Sequence, residues 1–435
     1  MLEHLYLKDV GPAPEMELEL APRLNLITGD NGLGKSFLLD VAWWVHTQTW
    51  PTTWPGHGAV PNRSPGSKPS ISWRERRGDQ TLDLVAPFNP ETQRWEPNYP
   101  TEDSAKRPRL VIFARVDGGF SVWDPLRKGE PYRLPFGQLA WGISSAFQFS
   151  ATDVWEGLTL RTDPPRRLCE GMWRDWSLWQ LAGNGAFDLL KRVVKLLSAN
   201  EPIGLSHEHV PVVMDETRDS PLLETSYGTV PLVHASAGMK HVLALAYILV
   251  WAWREHTRAA QLQNVPHVPE LVLLIDEAEA HLHPRWQRYI VPALLAVGEA
   301  LDPTLALQLM LTTHAPLVLA SLEPIFDPNK DAWFDLDLVR EERRVMLEKR
   351  HFVRRGTAGR WLTSQAFDLA TEGRSVEAER AISDAEALLE RRRKGALLAR
   401  EEVEAVDRAL RATLPDVDRF WIRWSGAVDD LMRPT

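Results

Sequence analysis

Gly29-Asp30-Asn31-Gly32-Leu33-Gly34-Lys35-Ser36 is the stretch on which the reading of this chain turns. It has the spacing G-x-x-x-x-G-K-[ST]. A strand-like run, RLNLIT, leads into it, and residues 34–48 that follow read as a helix. Each residue type has a chemical reason. The glycines let backbone N–H groups turn inward around a phosphate, at a helix N-terminus whose dipole favours anions. Lys35 then reaches the β- and γ-phosphates, and the Ser36 hydroxyl ligates Mg²⁺. The segment predicts nucleotide binding and a strand–loop–helix unit, which places the chain in the α/β class.

Two further stretches converge on that chemistry. Leu271 to Ile275 form an apolar run that reads as a buried strand and delivers Asp276 and Glu277 at its C-terminal end, where ligands sit in open α/β sheets. Asp276 is expected to hold Mg²⁺ and Glu277 to polarise an attacking water. A second buried strand, over 305–313, ends in Thr312-Thr313-His314-Ala315-Pro316. His314 is there a candidate sensor of the γ-phosphate.

Residues 2–28 alternate as strands. From Pro51 to Pro135, Pro and Gly are dense between alternating runs, which predicts antiparallel strands and long turns. Helical patterns return from about 139 to 199, with Trp173, Trp176 and Trp179 three residues apart. Leu222–Val233 reads as a hairpin turning at Gly228. Helices are expected over 237–258 and 284–299, two short strands after 331, and tail helices over 375–411 and 416–432. The composition is globular: 44 % hydrophobic, 25 % charged, net charge −9. One cysteine, Cys169, excludes a disulfide framework and a multi-cysteine metal site; it is expected to be a buried apolar residue. The longest apolar run, Val242 to Trp253, is shorter than the ~18 residues a membrane span needs. The start shows no signal-peptide pattern, so a cytoplasmic protein without membrane attachment is expected.

Taken together, these residues resemble ABC-type ATPases, in particular the heads of the structural-maintenance-of-chromosomes and DNA-repair kind. LNLITGDNGLGKSFLLD looks like their N-terminal lobe, LLIDEAEAHLHP like their Walker B strand and D-loop, and LTTHAPLVLAS like their histidine switch. The fourth element is the signature, Ser236-Ala237-Gly238-Met239-Lys240, opening the helix at 237. It departs from the transporter-like Leu-Ser-Gly-Gly-Gln. The resemblance implies a mixed central sheet flanked by helices. The core would comprise 1–50 and 230–345, with an antiparallel β insert over 51–138, a helical lobe over 139–229 and a helical C-terminal tail over 346–435. It implies ATP and Mg²⁺ as ligands. Gly29, Asp30, Asn31, Gly32, Gly34, Lys35, Ser36 and Phe37 would bind the nucleotide; Ser36, Asp276 and a Q-loop glutamine would bind the metal; Lys35, Glu277 and His314 would be catalytic. Gln148 is the Q-loop candidate and Gln138 its rival. Ser236 and Gly238 would close over ATP held by a second copy, giving a homodimer or higher oligomer with composite sites.

The wider look of DEAEAHLHPRWQ with THAP is similar to ATPases of the overcoming-lysogenization-defect type found in anti-phage defence. That implies a role in phage defence or DNA repair, coupled to DNA sensing or to a separate effector subunit such as a nuclease. No nuclease motif is visible in this chain. Two alternatives stand beside it: the ATP-binding subunit of a membrane transporter, and a non-hydrolysing scaffold that uses ATP as a structural ligand. The separation of Lys35 from Ser236 is far longer than transporter subunits resemble, and the intact Glu277 counts against the scaffold.

Basic runs offer candidate DNA or acidic-partner surfaces. Between Arg340 and Arg360 eight Lys/Arg face three Glu, and Arg391–Lys394 form a second run. Lys106, Arg107, Arg109 and Arg115 form a weaker third. His207 and His209, like His281 and His283, lack the spacing of a zinc site.

Overall fold

A computed structural model describes the chain apart from residues 52–60, 62–65, 101–108, 128–145, 161–163, 200, 213, 215–217, 340–343, 365–366, 368, 370–372, 397 and 433–435. The elements run as follows. β1 (Leu2–Val10) and β2 (Ala13–Glu19) form a hairpin, β3 (Leu24–Gly29) enters the glycine-rich loop and α1 (Lys35–Thr47) leaves it. Then come β4 (Ser70–Arg77), β5 (Gln80–Asn89), β6 (Arg94–Trp95), β7 (Leu110–Ala114), β8 (Phe120–Trp123) and β9 (Ala146–Phe149). A mixed stretch follows: α2 (Ala151–Glu156), β10 (Leu158–Leu160), β11 (Arg166–Cys169), α3 (Met172–Ala182), α4 (Ala186–Leu197), β12 (Gly204–Val210), β13 (Ser220–Thr225) and β14 (Gly228–Pro231). After α5 (Ala237–Gln263) come β15 (Glu270–Ile275), α6 (Pro284–Gln287), α7 (Ile290–Leu301), β16 (Ala306–Thr312), α8 (Pro316–Leu322), β17 (Asp331–Val339) and β18 (Arg344–Arg350). The chain ends with α9 (Ala358–Leu362), α10 (Val376–Arg393), α11 (Arg400–Thr413) and α12 (Phe420–Met432).

Residues 1–356 and 357–435 are separate compact units. The first is built on an eight-stranded sheet, ordered β18-β17-β3-β16-β15-β7-β8-β9. Its centre, β17-β3-β16-β15-β7, is parallel, and its margins are antiparallel. The central strands are buried on both faces, as continuous apolar runs such as LVIFA and LVLLI require. A second sheet, β2-β1-β4-β5-β6, is antiparallel and alternates buried with exposed residues. The strands of 51–138 thus divide between the two sheets: β4–β6 extend the β1–β2 hairpin, and β7–β8 belong to the main sheet.

α1 lies between the sheets. Leu38, Leu39, Val41, Ala42, Trp43, Trp44 and Val45 are all buried, and buried residues that follow one another in a helix cover every face. One apolar cluster joins α1 to Leu5, Leu7 and Trp73 of the second sheet and to Ile27, Phe113 and Leu274 of the main one. Trp44 stacks on Trp50 with ring centroids 5.7 Å apart and meets Trp73 edge-on at 6.0 Å. The other face of the main sheet receives α5 and α7.

Several helix boundaries differ from the sequence expectation. The helix expected over 284–299 is two, α6 and α7. Pro292 lacks the N–H an interior helical residue donates and fits the first turn of α7. The tail helix expected over 375–411 breaks into α10 and α11 at Gly395, whose φ is +85°. Of the helical stretch expected from 139, residues 139–145 lie outside the described residues, 146–149 are β9, and β10 and β11 follow α2. The hairpin turning at Gly228 is present as β13–β14. In the second unit α10, α11 and α12 share a core of Ala381, Ala385, Leu388, Val403, Leu410 and Trp424.

Arg109 is 2 % exposed and ties the two sheets together. Its guanidinium donates to Glu270 at 2.6 Å, to the Arg76 carbonyl at 2.9 Å and to Glu75. Arg109 is therefore internal, not part of a surface patch, because the buried Glu75 and the partly buried Glu270 claim it. Arg115 is turned inward as well, and Lys106 and Arg107 lie outside the described residues. Replacing Arg109 with Met removes the buried cation between the two carboxylates and leaves Glu75 to Arg77 and Glu270 to the Met1 ammonium at 2.8 Å. The expected loss is about 3 kcal/mol, the low end for a broken buried pair, measured by urea denaturation; a loss below about 1 kcal/mol, the range of exposed pairs, would overturn this reading.

Candidate functional site

The parallel register brings three strand ends side by side. Thr312 pairs with Ile27, and Ile275 pairs with Leu311. The loop after β3, the acids after β15 and the histidine after β16 therefore share one edge of the sheet. Gly29 has a φ of +133°, and a Cβ there would stand 2.2 Å from the Leu336 carbonyl oxygen. Gly34 has a φ of +104° and would press on Pro12 at 2.7 Å. Only glycine serves at either position. Gly34 also stands at the N-cap of α1 without a side-chain cap, so the first N–H groups of α1 are left for an anion.

The Lys35 ammonium donates to the carbonyls of Gly29 and Asp30, 2.8 Å each. Burial lowers its pKa, and the carboxylates of Glu277, Asp276, Asp30 and Glu279 oppose that. Asp276 is 7 % exposed. Its N–H donates to the Ala114 carbonyl at 2.9 Å, and its Oδ1 accepts from the Thr312 hydroxyl at 2.7 Å. The same hydroxyl oxygen accepts from the Glu277 N–H at 2.7 Å. Glu277 has a φ of +51°, a left-handed backbone for a non-glycine residue, and its side chain is 39 % exposed. His314 Nε2 lies 3.9 Å from Glu277 Oε1. Burial and the Lys35 cation lower the His314 pKa, against the pull of Asp30 and Asp276, so the imidazole is neutral at neutral pH. Phe37 packs its ring beneath the β1–β2 turn, where a Cβ on Gly11 would stand 2.4 Å from it. Asp30, Asn31, Gly32 and Ser36 of the loop lie near or at the surface.

Gln148 is occupied elsewhere. Its amide oxygen accepts from the Ser121 hydroxyl and from Arg115, and its amide nitrogen donates to the Trp50 carbonyl at 3.4 Å. To ligate a metal it would have to give up the first two. Gln138 lies outside the described residues. The donors that fit Mg²⁺ as they stand are the free oxygen of the buried Asp276 carboxylate and the exposed Ser36 hydroxyl, an all-oxygen set suited to a hard cation.

At the signature, Ser236 caps α5 by accepting from the Met239 N–H at 3.3 Å. Ser236 and Ala237 are exposed. Gly238 is small for a different reason than approach to phosphate: a Cβ would stand 2.9 Å from the His281 carbonyl oxygen and 3.2 Å from Trp286. The signature helix is packed on the loop that follows Glu277.

Other sequence candidates have partners within the chain. His209 bonds to the Ser177 hydroxyl at 3.0 Å, and His283 caps α6. Cys169 is buried against the Tyr247 hydroxyl at 2.9 Å, and burial pushes its thiol up to about 11. In the first basic run Arg340 and Arg343 lie outside the described residues, Arg350 pairs with Glu348 and Asp335, and Lys349 donates to the Glu19 carbonyl. In the second, Arg391 pairs with Glu402 and Lys394 with Glu390.

Residues absent from the sequence candidates also reach the site. Thr312 and Thr313 were legible only as a strand end, although a hydroxyl pair beside an acid pair is a signal. Asp40, one turn beyond Ser36 on α1, is another. Burial, then the Asp276 carboxylate, push its carboxyl up to about 7, while Arg115 pulls the other way. A carboxyl raised on folding stabilises most at low pH, and that contribution is lost as pH rises through its folded value. Asp40→Asn abolishes the titration. The melting temperature of the variant relative to wild type should rise between about pH 4, the ordinary carboxyl value, and about 7. A constant difference across that window would contradict the raised value.

Residues 171–320 match the family described as AAA domain, putative AbiEii toxin, Type IV TA system. Among solved structures the chain is similar to the SMC head domain from Thermotoga maritima, with 13 % identity over 80 % of this chain and 99 % of that one, TM-score 0.38. It is similar to the Smc head domain with an extended coiled coil bound to the C-terminal domain of ScpA, from Pyrococcus furiosus: 11 % identity, 80 % and 96 % covered, TM-score 0.38. It is also similar to the recombination mediator protein RecF-ATPrS of the RecFOR pathway: 14 % identity, 81 % and 98 % covered, TM-score 0.37. The family match, residues 171–320, spans α3 into α8 and so takes in the start of α5, the acids after β15 and the histidine after β16, within a mixed α/β fold.

Proposed function

We propose that this chain binds Mg-ATP at the shared edge of β3, β15 and β16 and hydrolyses it. The observation that supports this is the convergence there of the Lys35 ammonium, the Asp276 and Glu277 carboxylates and His314. The uncapped start of α1 cradles the phosphates, and Lys35 exchanges its two loop carbonyls for phosphate oxygens. Asp276 and Ser36 would hold Mg²⁺, which when bound offsets the charge of the phosphates. Glu277, half-exposed, orients the attacking water, and the neutral His314 beside it donates or accepts a hydrogen bond at the γ-phosphate.

The exposed Ser236 and Ala237 at the start of α5 are proposed to close over ATP held by a second copy. Assembly would then depend on ATP, and its making and breaking would be passed to DNA or to a separate effector subunit, in phage defence or DNA repair. That last step rests on family resemblance. Among the described residues no helix is long and apolar enough to cross a membrane.

Lys35→Ala should abolish phosphate release and weaken ATP binding at least tenfold. Glu277→Gln should keep ATP bound while turnover falls by about 10²-fold or more, the usual worth of a positioned acid–base group. Wild-type turnover in Lys35→Ala would end the hydrolysis reading. For the composite site, light scattering should show Glu277→Gln gaining mass with Mg-ATP, and Glu277→Gln with Ser236→Arg failing to. A gain in both would remove the signature from the interface.

A further inference from the structure

We propose that Glu279 is a positioning residue that holds His314 against Glu277 by tying the end of β16 to the loop after β15. The inference rests on the hydrolysis reading for its catalytic consequence, but its structural content stands apart from it. Both carboxylate oxygens of Glu279 are used, on two consecutive residues just beyond β16. Oε2 accepts from the Thr313 hydroxyl at 2.7 Å, and Oε1 accepts from the His314 N–H. Bonds to an ionised acceptor are shorter and stronger than neutral ones. Two of them, from consecutive residues, fix the backbone from which the His314 ring projects.

The rest of the strand end has a matching set. Thr312 serves Asp276 and Glu277 through its hydroxyl, and its carbonyl accepts from the Ala278 N–H at 3.1 Å. Thr313 donates its N–H to the Ile27 carbonyl of β3 at 3.1 Å, and its hydroxyl also accepts from the Ala315 N–H at 3.0 Å. Thr312 therefore sets the acids and Glu279 sets the histidine. Without Glu279, nothing else on this side of the loop holds the His314 N–H among the bonds described.

The loop needs holding. Glu277 and His281 both have left-handed backbones, φ +51° and +61°, on either side of Glu279. Such conformations cost free energy and persist where surrounding contacts over-determine them. The separation of His314 Nε2 from Glu277 Oε1, 3.9 Å, is outside hydrogen-bond range. A carboxylate and an imidazole at that distance leave a gap that a γ-phosphate oxygen or a water bridges, and a shift of about 1 Å in either is enough to cost a large factor in rate. A glutamate at 279 makes that separation a property of the resting fold.

The test uses the full chain and six variants: Glu279→Gln, Thr313→Val, Thr313→Ser, His314→Ala, Glu277→Gln, and Glu279→Gln with His314→Ala. Gln keeps the shape of Glu279 but turns a donor toward one of the two donors it must accept from. The expected result for Glu279→Gln is a kcat reduced at least tenfold, with KM and the affinity for a fluorescent ATP analogue within about twofold, as for an interaction felt in the transition state. Thr313→Val should lower kcat in the same direction by less, and Thr313→Ser should restore it. Added to His314→Ala, Glu279→Gln should cost no more than about twofold, because two residues acting through one group are not additive. Hydrogen exchange supplies a readout independent of turnover: the His314 amide should exchange faster in Glu279→Gln and unchanged in Glu277→Gln. Wild-type kcat in Glu279→Gln, or losses that multiply with His314→Ala, would overturn the positioning role. Unchanged amide exchange would overturn the tie itself. If wild type neither binds nor hydrolyses ATP, the hydrolysis reading falls, and amide exchange alone decides whether Glu279 holds His314.

Discussion

The parallel pairing of β3, β16 and β15 is the constraint from which the site follows. Side chains alternate along a strand, so a slip of one residue would turn every one of them to the other face of the sheet. In the register observed, three strands end together and each ends in chemistry: Gly29 into the glycine-rich loop, Ile275 into two carboxylates, Thr312 into the histidine. The Thr312 hydroxyl then locks neighbouring ends to one another by donating to Asp276 and accepting from Glu277. A hydroxyl is the one small group that can do both at once. Replaced by an isosteric valine, it would leave a buried carboxylate oxygen and a backbone N–H unsatisfied together.

That register is held by burial on both sides. On one side lies α1, apolar on every face because both sheets press on it. This accounts for tryptophan in a helix that follows the glycine-rich loop: Trp43 and Trp44 fill the space between the two sheets. Several of the 19 tryptophans do the same work elsewhere, Trp73 and Trp95 against the second sheet and Trp176 and Trp179 in the lobe before α5. The buried tie of Arg109 to Glu75 and Glu270 closes the opposite end of the sandwich.

Much of this was legible in the residues. Glycine, lysine and serine at fixed spacing after a strand specify a backbone shape, and apolar runs ending in paired acids or in a histidine specify where strands stop. LVIFA, apolar throughout, and ISWRERR, alternating, belong to different sheets, a difference that the expectation of one antiparallel insert over 51–138 passed over. What the sequence could not convey was which polar groups would be consumed internally. Gln148 looks like a free glutamine until Ser121 and Arg115 are seen to claim it. Gly238 looks small for a ligand and is small for Trp286 and the His281 carbonyl. Arg109 and Arg350 read as surface charge because a pattern of cations carries no mark of the distant acid each one meets. Helix ends suffered similarly, since Pro292 and Gly395 act through a single backbone position that a periodicity averages over.

α5 has a mechanical consequence. At 27 residues it is roughly 40 Å long. Its first turn rests on the loop after Glu277 through Gly238, while near its far end His256 bonds to Asp124 at 2.8 Å and to the Val268 N–H at 2.9 Å, and Gln263 donates to the Leu126 carbonyl at 2.6 Å. A rod pinned at one end and seated at the other is a lever. Each degree of tilt about the His256 pin moves the signature by something on the order of half an ångström, and the seat on the His281 carbonyl leaves no slack to absorb it. A tilt of α5 would therefore be passed straight to the acidic loop, with its fulcrum about 27 Å away along the helix.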